Sequence, residues 1–247
     1  MNTKTSEEAK RDLISSLGEE NGTLVDNLKN DCVNLRLYWR VYCSFFGTNQ
    51  ERVDLLNSIS GTTSIILENS LRHEVIFRIC RLTDPESAQR GERKNVSLSR
   101  LENIPLSDQS VEMKKKINIA KQSSSFAKTL RNRLLAHSDD IARNYKMAPI
   151  SQGSRKDIEN AIDDICDCIR FFYSTALDTH LVTRPISTLI SDEVELIKAI
   201  FLGSQERNRL EQEQSEFLAQ RDYKSLEDQR DRLPEWVTFR ETEFKDG

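Results

Sequence analysis

Histidine is scarce in this sequence, with three residues among 247, and glycine and proline are also few, at eight and five. So few helix breakers argue for long helices and against many short strands. No apolar run reaches the roughly 18 residues of a membrane-spanning helix, so we expect no membrane contact. The polar, acidic N-terminus lacks the features of a secretory signal, which predicts a cytoplasmic protein.

The five cysteines are an odd number, and cysteines within helices are typical of reduced thiols in a cytosolic protein. Cys166 and Cys168 are two residues apart, so on a helix they point to different sides and cannot share a metal ion. With only three histidines available as further ligands, the sequence predicts neither a structural metal site nor a cofactor.

Charged residues make up 31% of the chain, with a formal net charge of −4. An acidic protein is not a general nucleic-acid binder, so any RNA site must be a local basic patch.

Four stretches have apolar residues at steps of three and four, which predicts amphipathic helices over residues 23–46, 49–82, 112–137 and 154–181. Gly47 is placed to end the first helix, and Ser154 with Asp157 is typical of a capped start of the fourth. The predicted buried stripe of the second helix is Val53, Leu56, Ile59, Thr63, Ile66, Leu71, Val75, Ile79 and Leu82. The fold class is therefore all-α, a bundle of about four long helices.

The segments outside the bundle differ in composition. We expect residues 1–20 to be flexible or loosely helical, residues 21–181 to form the bundle and residues 182–247 to form a C-terminal helical extension. The extension has few apolar residues after Leu202, which favours a solvent-exposed or partner-packed helix. Between the second and third helices lies a long polar loop with one short helical piece over residues 97–104.

The stretch "RNRLLAH", residues 131–137, contains the groups that RNA cleavage without a metal requires. His137 can act as base or acid near neutral pH, the Arg131 guanidinium matches phosphate oxygens, and the amide of Asn132 can hold substrate or orient the histidine. The alternative interpretation is a helix end at which basic residues and a histidine complement the helix dipole.

Helical geometry restricts this site. At about 100° per residue, Arg131 and His137 are about 240° apart around a regular helix, whereas Arg133 and His137 share a face. Either Arg133 joins the site, or the helix ends before His137, or two copies share the site. We favour the last two together, because a two-fold dimer brings two motifs face to face.

Two motifs carry a resemblance to a known family. "RNRLLAHSD" and the upstream stretch "ICRLTDPESAQRGERKNVSLSRL", together with "LYWRVYCSFFG" and "ERVDLLN", are similar to the AbiU-like branch of HEPN domains (higher eukaryotes and prokaryotes nucleotide-binding). The shared elements are Arg81–Pro85, Asn95–Leu101 and the Arg131–His137 motif, and the resemblance covers about residues 15–180. It implies an all-α HEPN-like bundle and a homodimer. Many members are metal-independent endoribonucleases of phage defence or toxin systems, and others are inactive.

Carried over by position, the resemblance makes Arg131 and His137 the catalytic pair, with Asn132 in support. Arg81 and Asp84 are candidates for supporting residues, and a helix-end ion pair near Pro85 is the alternative. Toxins of this type that are paired with a nucleotidyltransferase antitoxin usually have a tyrosine two residues after the histidine. Asp139 occupies that position here, so this mode of control is in doubt, although an antitoxin or another defence-system partner is still expected.

Basic residues near the motif predict an RNA-binding patch, and the candidates are Arg90, Arg93, Lys94, Lys121 and Lys128. The alternative is that these cations, and the run Lys114–Lys116 above all, form a solvated face.

The leading functional hypothesis is a metal-independent endoribonuclease acting in abortive infection or as a toxin. A non-catalytic module that binds RNA, a nucleotide or a partner protein is the alternative. A third hypothesis is a structural protein whose C-terminal helix recruits a partner.

Overall fold

The computed structural model describes residues 5–47, 49–87, 93–132, 153–184, 192–230 and 237. The chain divides into two compact units, residues 1–193 and residues 194–247.

The first helix, α1 (Ser6–Leu17), belongs to the N-terminal segment that was expected to be flexible or loosely helical. Thr5 and Glu8 form a complete capping box at its start, and Leu13 is buried. A Cβ atom added at Gly22 on the next helix would lie 2.6 Å from the Ile14 backbone, so only glycine permits this close crossing. The N-terminal segment is thus a capped helix that packs on the bundle.

Helix α2 (Glu19–Tyr42) continues into a π-helical turn over Cys43–Gly47. Leu28, Cys32 and Leu35 are fully buried, which confirms the inner face that the periodicity predicted. The predicted end at Gly47 is also observed.

Helix α3 (Gln50–Thr83) starts at the N-cap residue Asn49 and has a kink at Ser60, where the backbone is extended (φ −160°, ψ 89°). The predicted stripe is wrong in the first half of this helix, because Ile59 and Ile66 are 40% and 59% exposed. The kink changes the direction of the helix, so apolar residues before and after it do not form one continuous face. In the second half, Val75, Ile79 and Leu82 are buried as predicted.

The connection after α3 contains a 3-10 helix at Leu98–Asn103, within the predicted range, and a short one at Ser107–Gln109. Leu98 and Leu101 are fully buried, so the connection contributes to the core. The single helix predicted over residues 112–137 is interrupted. It forms α4 (Ser110–Ser123) and α5 (Ser125–Leu130) on either side of Ser124. Three consecutive serines, which compete for backbone hydrogen bonds, weaken the helix at this point.

Helix α6 (Arg155–Ala176) begins with the predicted capping box of Ser154 and Asp157 and ends before the predicted Leu181. It packs on α4 and also contacts α2 and α3, while α1 and α3 pack on α2. Within the described ranges the chain forms no strand, and Ser87 and Lys94 form an isolated bridge. The all-α prediction is confirmed.

The second unit contains almost all of α7 (Asp192–Gln220) and α8 (Tyr223–Arg230). The chain turns at Arg221, whose φ is 57°, and Asp222 caps α8 by accepting from the Ser225 amide at 3.2 Å. Gln229 donates to Glu213 at 3.0 Å, so α8 lies beside the end of α7. In the part of the chain that the structure describes, no helix is both long and apolar enough to cross a membrane.

Candidate functional site

The site predicted around Arg131 lies where α5 meets the C-terminal end of α3. Helix α3 ends at Thr83 because Asp84 precedes a proline, which disfavours helical backbone at that residue. Asp84 is extended there (φ −64°, ψ 160°), and its side chain meets that of Arg131. The two residues are 47 positions apart in the sequence.

Arg131 is bound to Asp84 through one nitrogen. Its Nη1 donates to both carboxylate oxygens of Asp84, each at 3.0 Å. The side chains are 26% and 23% exposed, so the pair is partly shielded from water and still reachable by a ligand. Charge-assisted hydrogen bonds of this kind are stronger than neutral ones and fix the direction of the guanidinium group.

The other nitrogens of Arg131 differ in what they contact. Nε donates to the Asn132 side-chain oxygen at 3.3 Å. Nη2 has no partner among the described residues. Arg131, Asn132 and Asp84 thus form one cluster at the surface of the bundle.

Lys128, one helical turn before Arg131, has a structural contact. Its ammonium group donates to the Thr83 backbone carbonyl at 2.9 Å. That carbonyl is in the last turn of α3, so the lysine satisfies a helix-end acceptor and complements the helix dipole. The contact also fixes the distance between α5 and the end of α3.

The loop after Asp84 is held by the second family element. Asn95 and Ser97 donate to the Pro85 carbonyl at 2.9 and 3.5 Å, and Ser99 donates to the Asp84 carbonyl at 3.1 Å. These bonds fix the backbone on which the Asp84 carboxylate is mounted. In the sequence, Asn95 and Ser97 stood out only through the family resemblance. The resemblance did not predict that both would donate to the Pro85 carbonyl.

Arg81, the other supporting candidate, faces elsewhere. Its Nη2 donates to Asp31 on α2 at 3.2 Å, and the arginine side chain is largely exposed. The structure therefore brings Asp84 to Arg131 and places Arg81 in an ion pair between α2 and α3.

Cys80 lies buried beneath the cluster, one turn before Asp84. Burial raises the pKa of its thiol to about 11, although the nearby Arg131 acts in the opposite direction. A thiol with so high a pKa stays protonated at neutral pH, so Cys80 is a packing residue and not a nucleophile.

The candidate RNA-binding cations are arranged unequally. Lys94 pairs with Glu20 at 2.8 Å, and Lys121 pairs with Glu102 at 3.3 Å. Arg93 is exposed and has no partner among the described residues. The pKa of Glu20 is lowered, chiefly by its hydrogen bond from Lys94.

The run Lys114–Lys116 divides as well. Lys116 pairs with Asp167 on α6 at 2.6 Å, so its charge is already compensated, whereas Lys115 contacts Glu112 on its own helix at 3.7 Å. These contacts fit the solvated face that was the alternative for this run better than a phosphate-binding patch.

Other predicted site residues lie outside the described ranges: Arg90, Arg133 and His137. Of the two remaining histidines, His73 is half-buried on α3 and burial lowers its pKa, while His180 is exposed after α6. Among the described residues, no group of three or more histidine, cysteine, aspartate or glutamate side chains could hold a metal ion.

The sequence matches a protein-family model. The model of the HEPN domain of AbiU2, an abortive-infection type, matches residues 19–196, which include all of the cluster around Arg131. No curated protein and no solved structure matches the chain.

Proposed function

The chain belongs to the AbiU2 family of HEPN domains, and from this membership we propose that it is a metal-independent endoribonuclease acting in phage defence or as a toxin. The observation that carries the proposal is the state of Arg131. Asp84 fixes its guanidinium group, while Nη2 has no partner among the described residues and can donate to a phosphate.

The reaction is an internal transesterification. A base removes the proton of a ribose 2′-hydroxyl, and the oxygen attacks the adjacent phosphorus. The bond from phosphorus to the 5′-oxygen breaks, and an acid protonates that oxygen. The products are a 2′,3′-cyclic phosphate and a 5′-hydroxyl end, and no external oxidant or metal is consumed.

His137 is assigned the proton transfers, because an imidazole with an ordinary pKa near 6.5 is partly protonated at neutral pH. Such positioned acid–base groups contribute about 10² to 10⁴ in rate. Arg131 stabilises the negative charge that develops on the phosphoryl oxygens, and Asn132 holds the substrate or the histidine. In a homodimer the two motifs line one cleft, so Arg131 of one copy and His137 of the other can share a site.

The first test compares wild type, His137→Ala and the matched control His180→Ala. His180 is exposed and has no hydrogen bond within the described part of the chain. Each purified protein is incubated with total bacterial RNA in EDTA, and the fragment ends are mapped. We expect discrete fragments with cyclic-phosphate ends from wild type and His180→Ala, and none from folded His137→Ala.

Cleavage that persists in His137→Ala overturns the catalytic assignment of that residue. RNA binding without cleavage by the wild type, unchanged by the substitution, supports the non-catalytic module instead.

A mixing experiment tests whether two copies share the site. Arg131→Ala and His137→Ala proteins are each inactive if both residues are needed. If one copy supplies Arg131 and the other His137, a mixed dimer retains one intact site, so mixing restores part of the cleavage. A site contained within one copy gives no restoration.

A further inference from the structure

A second cluster of arginines lines a cavity of about 490 Å³ in the first unit. Its walls come from the C-terminal part of α2, the π-helical turn after it, the start of α3, the start of α6 and residues 184 and 193. The wall residues that matter for binding are Arg36, Trp39, Arg40, Arg52, Arg155 and Arg184.

Three of these arginines are paired with carboxylates. Arg40 lies 3.1 Å from Glu193, and Arg155 lies 3.1 Å from Glu159. Arg36 donates to Asp163 at 2.7 Å, and its own side chain is nearly buried. Asp163 lines an adjoining cavity of about 310 Å³ that shares Arg36, Trp39 and Arg184 with the first.

The remaining two arginines have no carboxylate partner in the described part of the chain. Arg52 donates through Nη1 to the Ser44 carbonyl at 2.8 Å and to the Ser44 hydroxyl at 3.0 Å, both uncharged acceptors. Arg184 has no hydrogen bond or ion pair with any described residue. The buried Nε of Arg36 also has no hydrogen-bond acceptor within the described ranges. The cavity therefore contains more positive charge and more donors than its own side chains use.

An anion offsets such an excess, and the arginines specify its type. A guanidinium fork matches the oxygens of a phosphate, and several forks around one cavity match a group that has several anionic oxygens. The cavity volume lies within the range of about 300–1,000 Å³ that small-molecule sites occupy. Trp39, which stacks on Tyr42 with ring centroids 5.2 Å apart, adds an apolar aromatic wall.

We propose that this cavity binds the phosphate end of a nucleotide, with Arg52 and Arg184 contacting the phosphate and Trp39 the organic part. The nucleotide is either a free one or the 5′-phosphorylated end of an RNA chain, because both present the same chemistry. The cavity volume of about 490 Å³ is of the size that a single nucleotide occupies.

This cavity is separate from the Arg131 cluster, none of whose residues line it. Arg52 lies near the start of α3 and Asp84 directly follows its end. The segment of α3 after the kink, residues 61–83, is by itself roughly 35 Å long at 1.5 Å per residue. Binding at the cavity therefore does not depend on the proposed nuclease function.

Calorimetric titration of the whole chain tests the proposal. The probes are ATP, AMP, adenosine, and a five-nucleotide RNA with either a 5′-phosphate or a 5′-hydroxyl end. We expect ATP or the 5′-phosphorylated RNA to bind, and adenosine and the 5′-hydroxyl RNA to bind at least about tenfold more weakly. Binding by ATP and AMP identifies a free nucleotide as the ligand, and binding by the phosphorylated RNA alone identifies an RNA end.

Arg184→Gln is the main variant, because Arg184 has no hydrogen bond or ion pair with any described residue that the substitution would remove. Arg52→Gln is the second, checked for folding by circular dichroism. Lys156→Gln is the matched control, since Lys156 is exposed, adjoins Arg155 and does not line the cavity. We expect Kd to rise at least about tenfold in the first two variants and to stay unchanged in the control.

Three results overturn the proposal. The first is that no phosphorylated probe binds the folded wild type at millimolar concentration. The second is binding that Arg184→Gln and Arg52→Gln leave unchanged. The third is binding of the 5′-hydroxyl RNA as tight as that of the phosphorylated one.

Discussion

The cluster around Arg131 and the arginine-lined cavity use the same side chain in opposite ways. At the first, one arginine is bound by one carboxylate, with both Asp84 oxygens on a single nitrogen. At the second, Arg52 and Arg184 have no carboxylate partner within the described ranges, although Glu159 and Glu193 lie in the same wall. The first arrangement fixes the direction of a guanidinium group, and the second keeps positive charge available.

This difference separates two chemical tasks. Catalysis of phosphoryl transfer requires a cation held in one orientation where charge develops, because reorientation during the reaction costs free energy. Binding of a whole phosphate requires net positive charge and several donors, which a set of mutually paired ions does not provide. Substitutions at both kinds of cation test whether pairing serves catalysis and whether its absence serves phosphate binding.

Among the substitutions that compare paired with unpaired cations, the largest expected effect comes from Arg131→Lys, which keeps the charge and removes the planar fork. We expect cleavage in single-turnover assays to fall by about 10² to 10³, the loss typical of removing one charge-stabilising donor. Nucleotide binding at the cavity should not change. Arg78→Lys is the control, because Arg78 lies 4.4 Å over the Tyr38 ring and touches neither site. Cleavage at the wild-type rate in Arg131→Lys would show that only the charge matters.

A smaller effect is expected from Asp84→Asn, which keeps the shape of the side chain and removes its charge. Arg131 then loses its strongest anchor, so we expect cleavage to fall about tenfold and the free energy of unfolding to fall by about 1–2 kcal/mol. Single-turnover rates and urea unfolding measure the two quantities.

Asp31→Asn is the matched control for this change, since Asp31 pairs with the exposed Arg81. An equal loss of cleavage in both variants would argue that Asp84 acts on stability alone.

The smallest effects separate paired from unpaired surface cations. Arg93→Gln removes a charge that has no partner among the described residues, and we expect weaker RNA binding with a salt slope reduced by about one. Lys121→Gln removes a charge already paired with Glu102, so RNA binding should hardly change and stability should change by less than about 1 kcal/mol. Fluorescence anisotropy with labelled RNA at several salt concentrations measures both. Equal salt slopes for the two variants would contradict the distinction.

Local patterns predicted most helix boundaries. Gly47 ends the π-helical turn after α2, and Ser154 with Asp157 starts α6, because caps and breakers act within a few residues. Periodicity failed in the first half of α3, where Ile59 and Ile66 are exposed. The helix has a kink at Ser60. In the sequence only the neighbouring Gly61, a poor helix former, marks this position.

The candidate site was predicted only in part, because sequence patterns are local and some of its contacts are not. Arg131 and Asn132 are adjacent, and the family resemblance pointed to Asp84, but the contact between Asp84 and Arg131 joins residues 47 positions apart. Arg81 belongs to the same short motif as Asp84 and was an equal candidate. Arg81 still lies on α3 and pairs with Asp31 on α2. Asp84 lies just after the end of α3 at Thr83, where the backbone is extended, so its side chain points in another direction.

The sequence by itself determined the all-α class, the family and the positions of most helices, because helix formation depends on composition, periodicity and caps within a few turns. Only the tertiary structure decided which charges far apart in the chain are paired. Arg36, Arg52, Arg155 and Arg184 come from four separate segments, and no local pattern shows that they line one cavity while the carboxylates nearby neutralise only some of them. Electrostatic pairing depends on distances of a few ångströms between residues far apart in the chain, and those distances exist only in the folded protein.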